Sequence, residues 1–172
     1  MRTRMKLTGL TAVRTELRTI AERVPDTARK TMHRTAAKIV DTARAYAPED
    51  EGNLVRGIKI IKDYAGMNGR LQIDVGIEMP PDAFSASGTP LTSEQFDRYA
   101  TLVHENYESI LRNPRADGSP GGPSKRTLRK MSDNPNKVGS GFLSRAAREH
   151  EHKLSKEVFE AVTKVIDEVS SR

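Results

Sequence analysis

The chain has no cysteine and no tryptophan, and only 5% of its 172 residues are aromatic. Without cysteine there are no disulfides and no thiolate chemistry. Hydrophobic residues make up 35% and charged residues 30%, so we expect one domain with a small aliphatic core. Either part of the chain stays outside that core, or partners cover some of its apolar surface. No apolar run reaches the length of a signal peptide or the roughly 18 residues of a membrane span. These absences predict a soluble protein, made and assembled in a cytoplasm without a membrane partner.

Basic residues are in excess, with a formal net charge of +6 at pH 7. This balance permits contact with DNA or with an acidic protein. Residues 106–140 are basic and rich in proline and glycine, which predicts a long loop that is mobile in the free protein and contacts partners. A solvated surface is the default interpretation of its charges, and sequence-independent contact with DNA phosphates is the alternative. The candidate residues for partner or DNA contact are Arg112, Arg115, Lys125, Arg126, Arg129, Lys130 and Lys137.

Apolar residues at helical spacing follow a basic arm at residues 1–8 that we expect to be flexible. The apolar positions from Leu10 to Ile20 predict an amphipathic helix that ends near Arg23. Pro25 is expected to break this helix and to start a second one, whose apolar face runs from Ala28 to Ala43. The opposite face of the second helix is basic and carries Arg29, Lys30, Arg34, Lys38 and Arg44.

Two stretches in the middle of the chain predict strands. Residues 58–63 are rich in isoleucine, and residues 71–78 alternate strictly, which predicts one buried and one hydrated face. Asn68-Gly69 between them is a strong turn signal, so we predict an antiparallel hairpin that ends at Pro80-Pro81. Residues 79–93 are rich in turn-forming residues and are predicted to form a loop.

The second half of the chain is predicted to be mainly helical outside the basic loop. Thr92 or Ser93 could cap a short helix, although periodicity leaves open whether residues 95–105 form a helix or a strand. An apolar stripe from Phe142 to Val169 predicts a final helix of about 28 residues. The predicted fold class is α+β: residues 9–172 form one domain of helices packed on a small antiparallel sheet, with the long basic loop before a long C-terminal helix.

Four groups of residues could carry chemistry, and each has a stronger structural interpretation. His104 and Glu105 are adjacent, so they point in different directions on a helix or a strand. The histidines of Glu149–His152 are two residues apart, whereas zinc-binding helices use a spacing of four. Gly118–Lys125 lacks the Gly-Lys-Ser/Thr ending of a phosphate loop, and the acidic residues 49–51 are consecutive and converge poorly on a cation. We therefore predict no catalytic residue, no cofactor and no metal site.

The most specific pattern lies between the second helix and the first strand. It is Ala-Pro-x-Asp-x-Gly-x-Leu-x-x-x-Ile-x-Ile over residues 47–60. Pro48 is expected to end the helix, because it lacks an amide hydrogen and biases Ala47 towards extended backbone. Gly52 is expected to supply a backbone conformation that is costly for other residues, and Leu54 to anchor the turn in the core.

Two later segments accompany this pattern: Tyr-Ala-Thr-Leu-Val-His-Glu at residues 99–105 and Gly-Phe-Leu-Ser-Arg-Ala at residues 141–146. In order and spacing, the three segments resemble those of the gene-product-ten-like tail-completion or head–tail connector proteins of tailed bacteriophages. The resemblance covers most of residues 25–165. It implies helices on an antiparallel sheet, no enzymatic activity, and a location at the neck or tail end of the virion after assembly in the host bacterial cytoplasm.

The resemblance also implies partners. Such subunits form a ring around the DNA path, commonly a hexamer, and join through sheet edges and helices. Neighbouring phage neck and tail proteins, such as the adaptor, the tail terminator or the tail tube, are the implied further partners, with non-specific contact to packaged DNA. The implied interface candidates are Tyr99, Val103, His104, Glu105, Phe142 and Leu143.

The chain departs from the family pattern at two places. The family usually has a Phe-Gly or Tyr-Gly turn after the second segment, whereas this chain has Asn106-Tyr107, and the loop at residues 106–140 is long. The alternative hypothesis is a small nucleic-acid-binding protein that uses its basic helix faces and residues 112–137. Steep salt dependence of DNA affinity in the isolated monomer would favour that alternative.

Overall fold

The computed structural model describes residues 9–65, 70–113 and 121–171. Within these ranges two long helices, α1 and α5, run antiparallel, since Arg23 contacts Glu168 while Tyr46, near the other end of α1, contacts Glu149. The two strands pair as an antiparallel sheet. This arrangement confirms the predicted α+β class and the long C-terminal helix. The elements are α1 Leu10–Tyr46, α2 Asn53–Gly57, β1 Ile58–Ala65, β2 Leu71–Ile77, α3 Ser93–Arg112, α4 Lys125–Asp133 and α5 Phe142–Ser170.

The predicted break at Pro25 is wrong, because α1 continues through it for 37 residues. A proline inside a helix removes one backbone hydrogen bond, and the freed acceptor is the carbonyl of Ala21. Ala21 is exposed, so water can satisfy that carbonyl. A continuous helix also keeps Val24 and Ala28 on the side that faces α5, which offsets the cost of the proline.

The C-terminal end of α1 lies where the sequence predicts it. Ala47 has φ −71° and ψ 132°, the extended backbone that a following proline imposes. The amide of Ala47 still donates to the carbonyl of Ala43. Pro48 is buried, so the turn begins inside the protein rather than at its surface.

The hairpin of β1 and β2 is confirmed, with Ile58 opposite Ile77 and Ala65 opposite Leu71. The register shifts between Ile60 and Lys62, so Ile61 is an extra residue. A Cβ at Gly76 would lie 2.8 Å from the Ile61 side chain, which shows that this side chain covers the glycine. The prediction of one buried and one hydrated face is wrong for β2, since every residue of this strand is half-buried. The predicted turn at Asn68-Gly69 lies outside the described residues.

Residues 95–105 are helical, which decides the alternative that periodicity left open. Thr92 caps α3: its side chain accepts from the amide of Gln95, whose side chain accepts from the amide of Thr92. The helix is kinked at Asn106, which has φ −147° and ψ 62°. The Asn106 side chain then accepts from the amide of Ser109 and starts the last turns of α3. The kink falls where the family pattern has its aromatic-glycine turn.

The prediction of an unstructured loop over residues 106–140 is wrong for two parts of it. Residues 107–112 complete α3, and Lys125–Asp133 form α4. Ser124 caps α4 by accepting from the amide of Thr127, a start signal that composition alone did not reveal. Residues 114–120, the arm at residues 1–8 and residue 172 lie outside the described residues.

The core joins the C-terminal end of α1 to α2, the sheet, α3 and the start of α5. Four of its twelve described buried residues are aromatic, namely Tyr46, Phe96, Tyr107 and Phe142, so the prediction of an aliphatic core is wrong. Because β1 and β2 form only a two-stranded sheet, their stability depends on packing against the helices. The buried residues of this core are Val40, Ala43, Tyr46, Ala47, Leu54, Ile58, Phe96, Ala100, Val103, Tyr107, Phe142 and Ala146.

Candidate functional site

Residues 47–52, which we call the elbow, connect α1 to α2 and carry the most specific sequence pattern. Gly52 ends the elbow with φ 84° and ψ −4°, a left-handed conformation that favours glycine. Leu54 follows in α2 with only 2% of its surface exposed. The elbow is therefore held from the inside by an apolar side chain and shaped at its end by a glycine.

Helix α4 lies against the outside of the elbow. The amide of Glu49 donates to the hydroxyl of Thr127 over 2.9 Å, and that hydroxyl donates to the Glu49 carbonyl over 3.1 Å. Ser124 also donates to the same carbonyl. Thr127 is fully buried. Two hydroxyl side chains within a basic stretch thus satisfy the backbone amide and carbonyl of Glu49 in the elbow.

Lys130 is the central cation of this contact. Its Nζ lies 2.9 Å from the Glu49 carboxylate and donates to the carbonyls of Arg44 at 2.7 Å and Ala47 at 3.2 Å. These carbonyls belong to the C-terminal end of α1, where a positive charge is stabilised by the helix dipole. The Lys130 side chain is only 19% exposed. It therefore serves the fold of its own chain, and its prediction as a partner or DNA contact is not supported.

Lys137 is also held by its own chain. Its Nζ donates to the Tyr46 hydroxyl over 2.9 Å and to the Glu149 carboxylate over 3.3 Å. The Tyr46 hydroxyl donates to Glu149 over 2.6 Å. The hydrogen bond from Tyr46, followed by that from Lys137, lowers the pKa of Glu149. The hydrogen bond to Tyr46 and then the one to Glu149 raise the pKa of Lys137.

Three basic residues of α4 remain available on the surface. Lys125 and Arg129 are exposed, and their side chains have no hydrogen-bond or ion-pair partner within the part of the chain that the structure describes. Arg126 is 3.5 Å from Glu49 but 64% exposed, so this ion pair is weak. Arg112 is exposed beside Glu108 at 4.0 Å, and Arg115 lies outside the described residues. The α4 basic surface is therefore defined by Lys125, Arg126 and Arg129.

The basic face of α1 is tied to other elements. Arg29 donates twice to Asp63 of β1 at 3.0 Å, and this hydrogen bond lowers the pKa of Asp63. Arg44 donates twice to the carbonyl of Ile58, at 3.1 and 2.8 Å. Lys38 pairs with Glu157 of α5 at 3.3 Å. These contacts position the hairpin and α5. Lys30 and Arg34 of the same face are exposed and, among the described residues, contact only α1 itself, so they alone remain on its surface.

The predicted interface residues divide between core and surface. Val103 and Phe142 are 1% and 0% exposed in the core of the chain itself, so their prediction as interface residues is not supported. His104 is half-buried and packs edge-on against Phe142, with ring centroids 4.9 Å apart. Tyr99 and Leu143 are half-buried against the core, and burial raises the pKa of Tyr99. Glu105 is exposed and stays an interface candidate.

The histidine-rich segment of α5 also has a structural explanation. His150 lies 2.8 Å from the Thr42 hydroxyl of α1, and Glu149 belongs to the Tyr46 and Lys137 cluster. Among the described residues no group of three or more His, Cys, Asp or Glu side chains could hold a metal ion. The described helices also include none that is both long and apolar enough to cross a membrane.

Sequence reasoning missed the residue that fixes the loop before α3. Asn53 is buried and donates to the Phe84 carbonyl over 2.5 Å, while its side-chain oxygen accepts from Arg56 at 2.8 Å. Arg56 also pairs with Asp82. A signal was present in the sequence, since Asn53 follows Gly52 at a predicted turn and asparagines at turns commonly bind backbone. The loop partner itself could not be inferred from the sequence.

The described side chains near the elbow bind backbone groups and pack in the core of their own chain. This arrangement is typical of a structural α+β protein. Residues 11–105 match the family model described as "Bacteriophage HK97-gp10, putative tail-component". Because this match covers more than half of the chain, the chain belongs to that family of phage tail components. Membership implies a non-enzymatic role in the virion, beside other tail proteins. No curated protein and no solved structure gives a significant match.

The family match bears directly on two of the three segments that suggested the resemblance. It contains the elbow and residues 99–105, and it begins within the first part of α1, before the region in which the resemblance was expected to start. It ends before α4 and α5. The contact between α4 and the elbow is therefore a feature of the structure that lies partly outside the family match.

Proposed function

We propose that the chain is a tail-completion, or head–tail connector, subunit that assembles into a closed ring around the DNA path at the neck or tail end of the virion. Six copies are the proposed number. Family membership supports a tail component, and the exposed apolar residues of the two long helices support assembly. Leu10, Val13 and Leu17 of α1 are 67%, 52% and 61% exposed, and Phe159 of α5 is 71% exposed. Leu10, Val13 and Leu17 share one face of α1. Apolar side chains grouped in this way on a surface favour coverage by a partner.

A ring follows from the kind of contact that identical subunits make. A head-to-tail contact uses two different surfaces of the same chain and closes only at a fixed rotation, so the copy number is discrete. Phage particles reconstituted with this chain should show a multi-copy ring at the neck or tail end by electron microscopy. Particles that contain the chain at a single copy, or that place it elsewhere, would contradict the proposal.

The α4 basic surface is proposed to face an acidic neighbour in the neck, such as an adaptor, tail terminator or tail tube protein. Lys125 and Arg129 have no described partner within the chain, whereas Lys130 is used internally. The triple variant Lys125→Gln/Arg126→Gln/Arg129→Gln should fold normally and yet prevent heads from joining tails. Normal joining with loss of DNA retention would instead assign this surface to packaged DNA.

The nucleic-acid-binding alternative has little support from the geometry. Arg29, Lys38 and Arg44 are engaged with β1 and α5. The α4 basic surface supplies three cations, which predict only a shallow dependence of affinity on salt. Titration of duplex DNA into the purified chain at two salt concentrations tests this directly. A steep salt dependence would favour the alternative.

A further inference from the structure

The apolar face of α1 continues beyond the end of α5. Arg23 contacts Glu168 near the C-terminal end of α5, so residues 10–20 of α1 extend past that helix. Thr35 follows Leu17 by about five full helical turns and lies on the same face. Thr35 contacts Glu157 of α5. The face that packs on α5 farther along α1 is therefore uncovered at Leu10, Val13 and Leu17, which we call the α1 stripe.

A second uncovered surface lies on α5, on the side away from the core. Val165 and Val169 point into the protein, whereas Phe159 is 71% exposed and Ile166 39%. Beside them is a shallow groove of about 530 Å³ along the helix. We call it the α5 groove; its lining includes Phe159, Glu160, Thr163, Lys164, Asp167 and Ser171.

The two surfaces have complementary charge. Arg14 and Arg18 lie along one side of the α1 stripe, where Arg18 pairs with Glu22 at 3.0 Å, and Glu16 lies along the other side. The α5 groove is lined by Glu160, Asp167 and Glu168 against the single Lys164, and Glu168 also pairs with Arg23.

We propose that the α1 stripe of one subunit packs into the α5 groove of a second copy of this chain, as the head-to-tail contact of the ring. This inference rests on the proposed function, because a ring requires two different surfaces that meet between copies. Apolar side chains fill the contact, and the basic flank of the stripe faces the acidic rim of the groove. Pairing of two stripes would place Arg14 and Arg18 near their own copies and would stop at a dimer.

The absence of cysteine makes the contact directly testable by disulfide formation. The double variant Val13→Cys/Thr163→Cys places one thiol in the stripe and one in the groove. Within one subunit these positions lie about 22 Å apart along the helix axes, counted from the Arg23–Glu168 contact at about 1.5 Å per residue. A disulfide needs Cα atoms about 4–7 Å apart, so any bond must join two copies.

Oxidation of the concentrated protein, and of particles assembled with the variant, should give a ladder of linked multimers on a non-reducing gel. Val13→Cys and Thr163→Cys alone should give no ladder. The control pair Val13→Cys/Ser87→Cys, with its second thiol on the exposed loop before α3, should also give none. Dimers from Val13→Cys alone would show that the stripe pairs with itself and would overturn the inference.

Charge reversal provides a second measurement that does not depend on thiol geometry. Arg14→Glu/Arg18→Glu should weaken self-association in sedimentation equilibrium by about tenfold, and Glu160→Arg/Asp167→Arg should do the same. Combining all four changes should restore it, whereas failure to restore it would count against the contact. A ring in virions without a ladder from the double variant would overturn this contact and leave the proposed function intact. A ladder without a ring in virions would overturn the proposed function instead.

Discussion

The ammonium group of Lys130 lies 2.9 Å from the carboxylate of Glu49 and at the same time binds two carbonyls at the C-terminal end of α1. A residue of α4 thereby caps the C-terminal end of a helix that ends more than eighty positions earlier in the chain. Part of the basic stretch that sequence patterns associate with partners is therefore a component of the fold. The adjacent cations Lys125 and Arg129 are not part of that contact.

Replacement of Lys130 by methionine should destabilise the protein by about 2 kcal/mol. The ion pair with Glu49 is lost, and two partly buried carbonyls lose a charged donor. Urea unfolding followed by circular dichroism measures the change. Arg129→Met is the matched control on the same helix, and we expect a change within about 0.5 kcal/mol because its side chain is exposed. Equal effects of the two variants would contradict the assignment of Lys130 to the fold.

Leu54→Ala should destabilise the protein by about 2–4 kcal/mol, since Leu54 is 2% exposed and its removal leaves a cavity beneath the elbow. The free energy of unfolding in urea is the measurement. Leu128→Ala on α4 is the control, because this leucine is 52% exposed. An unchanged unfolding midpoint for Leu54→Ala would mean that the elbow is not anchored by this side chain.

Glu149 should contribute stability that disappears in acid. The hydrogen bonds from Tyr46 and Lys137 hold its folded-state pKa below the ordinary value of 4.5, so the folded state favours the ionised form. This contribution is present above pH 4.5 and is lost as pH falls through the lower folded-state pKa. Glu149→Gln should reduce stability at pH 7 and flatten the decline below pH 4.5, as measured by thermal melts across pH. Glu151→Gln, an exposed neighbour, should leave the decline unchanged.

Tyr99 should make the protein sensitive to alkali. Burial, followed by the nearby charge of Asp50, raises its pKa above the ordinary value of 10, so the folded state favours the neutral phenol. Stability is fully present below pH 10 and falls as pH rises above it, because the unfolded state then loses the proton more easily. Tyr99→Phe should retain more of its stability above pH 10 than the parent protein. Tyr64→Phe, at a 50% exposed position, is the control and should behave like the parent.

The elements with strong local signals could be predicted from the sequence. Strict alternation identified β2, and Pro48 identified the end of α1, because these signals depend on near neighbours in the chain. The continuity of α1 through Pro25 could not be predicted, since its compensation comes from packing on α5. Helix α4 was missed for a related reason: composition suggested a loop, whereas Ser124 and Thr127 dock it on a distant turn.

The candidate site was predictable in part. The importance of the elbow and the geometry at Gly52 follow from its residues, because proline and glycine restrict backbone locally. The division of the basic residues does not follow from the sequence, because Lys130 and Arg129 are neighbours of the same charge. Only the folded position of Glu49 distinguishes them. Likewise, Val103 and Phe142 are apolar residues of the kind found in interfaces, but they are buried in the core of the chain itself.

The pairing of α1 with α5 also has a consequence for synthesis on the ribosome. Thr35 and Glu157 are separated by 122 positions, and Arg23 and Glu168 by 145, so these contacts form only after almost all of the described chain has been made. Contacts of such long range delay folding relative to local ones. Until α5 emerges, the face of α1 that carries Thr35 lacks its α5 partner, and apolar surface left uncovered in this way favours aggregation of a nascent chain. We therefore expect a subunit to complete α5 before it joins others.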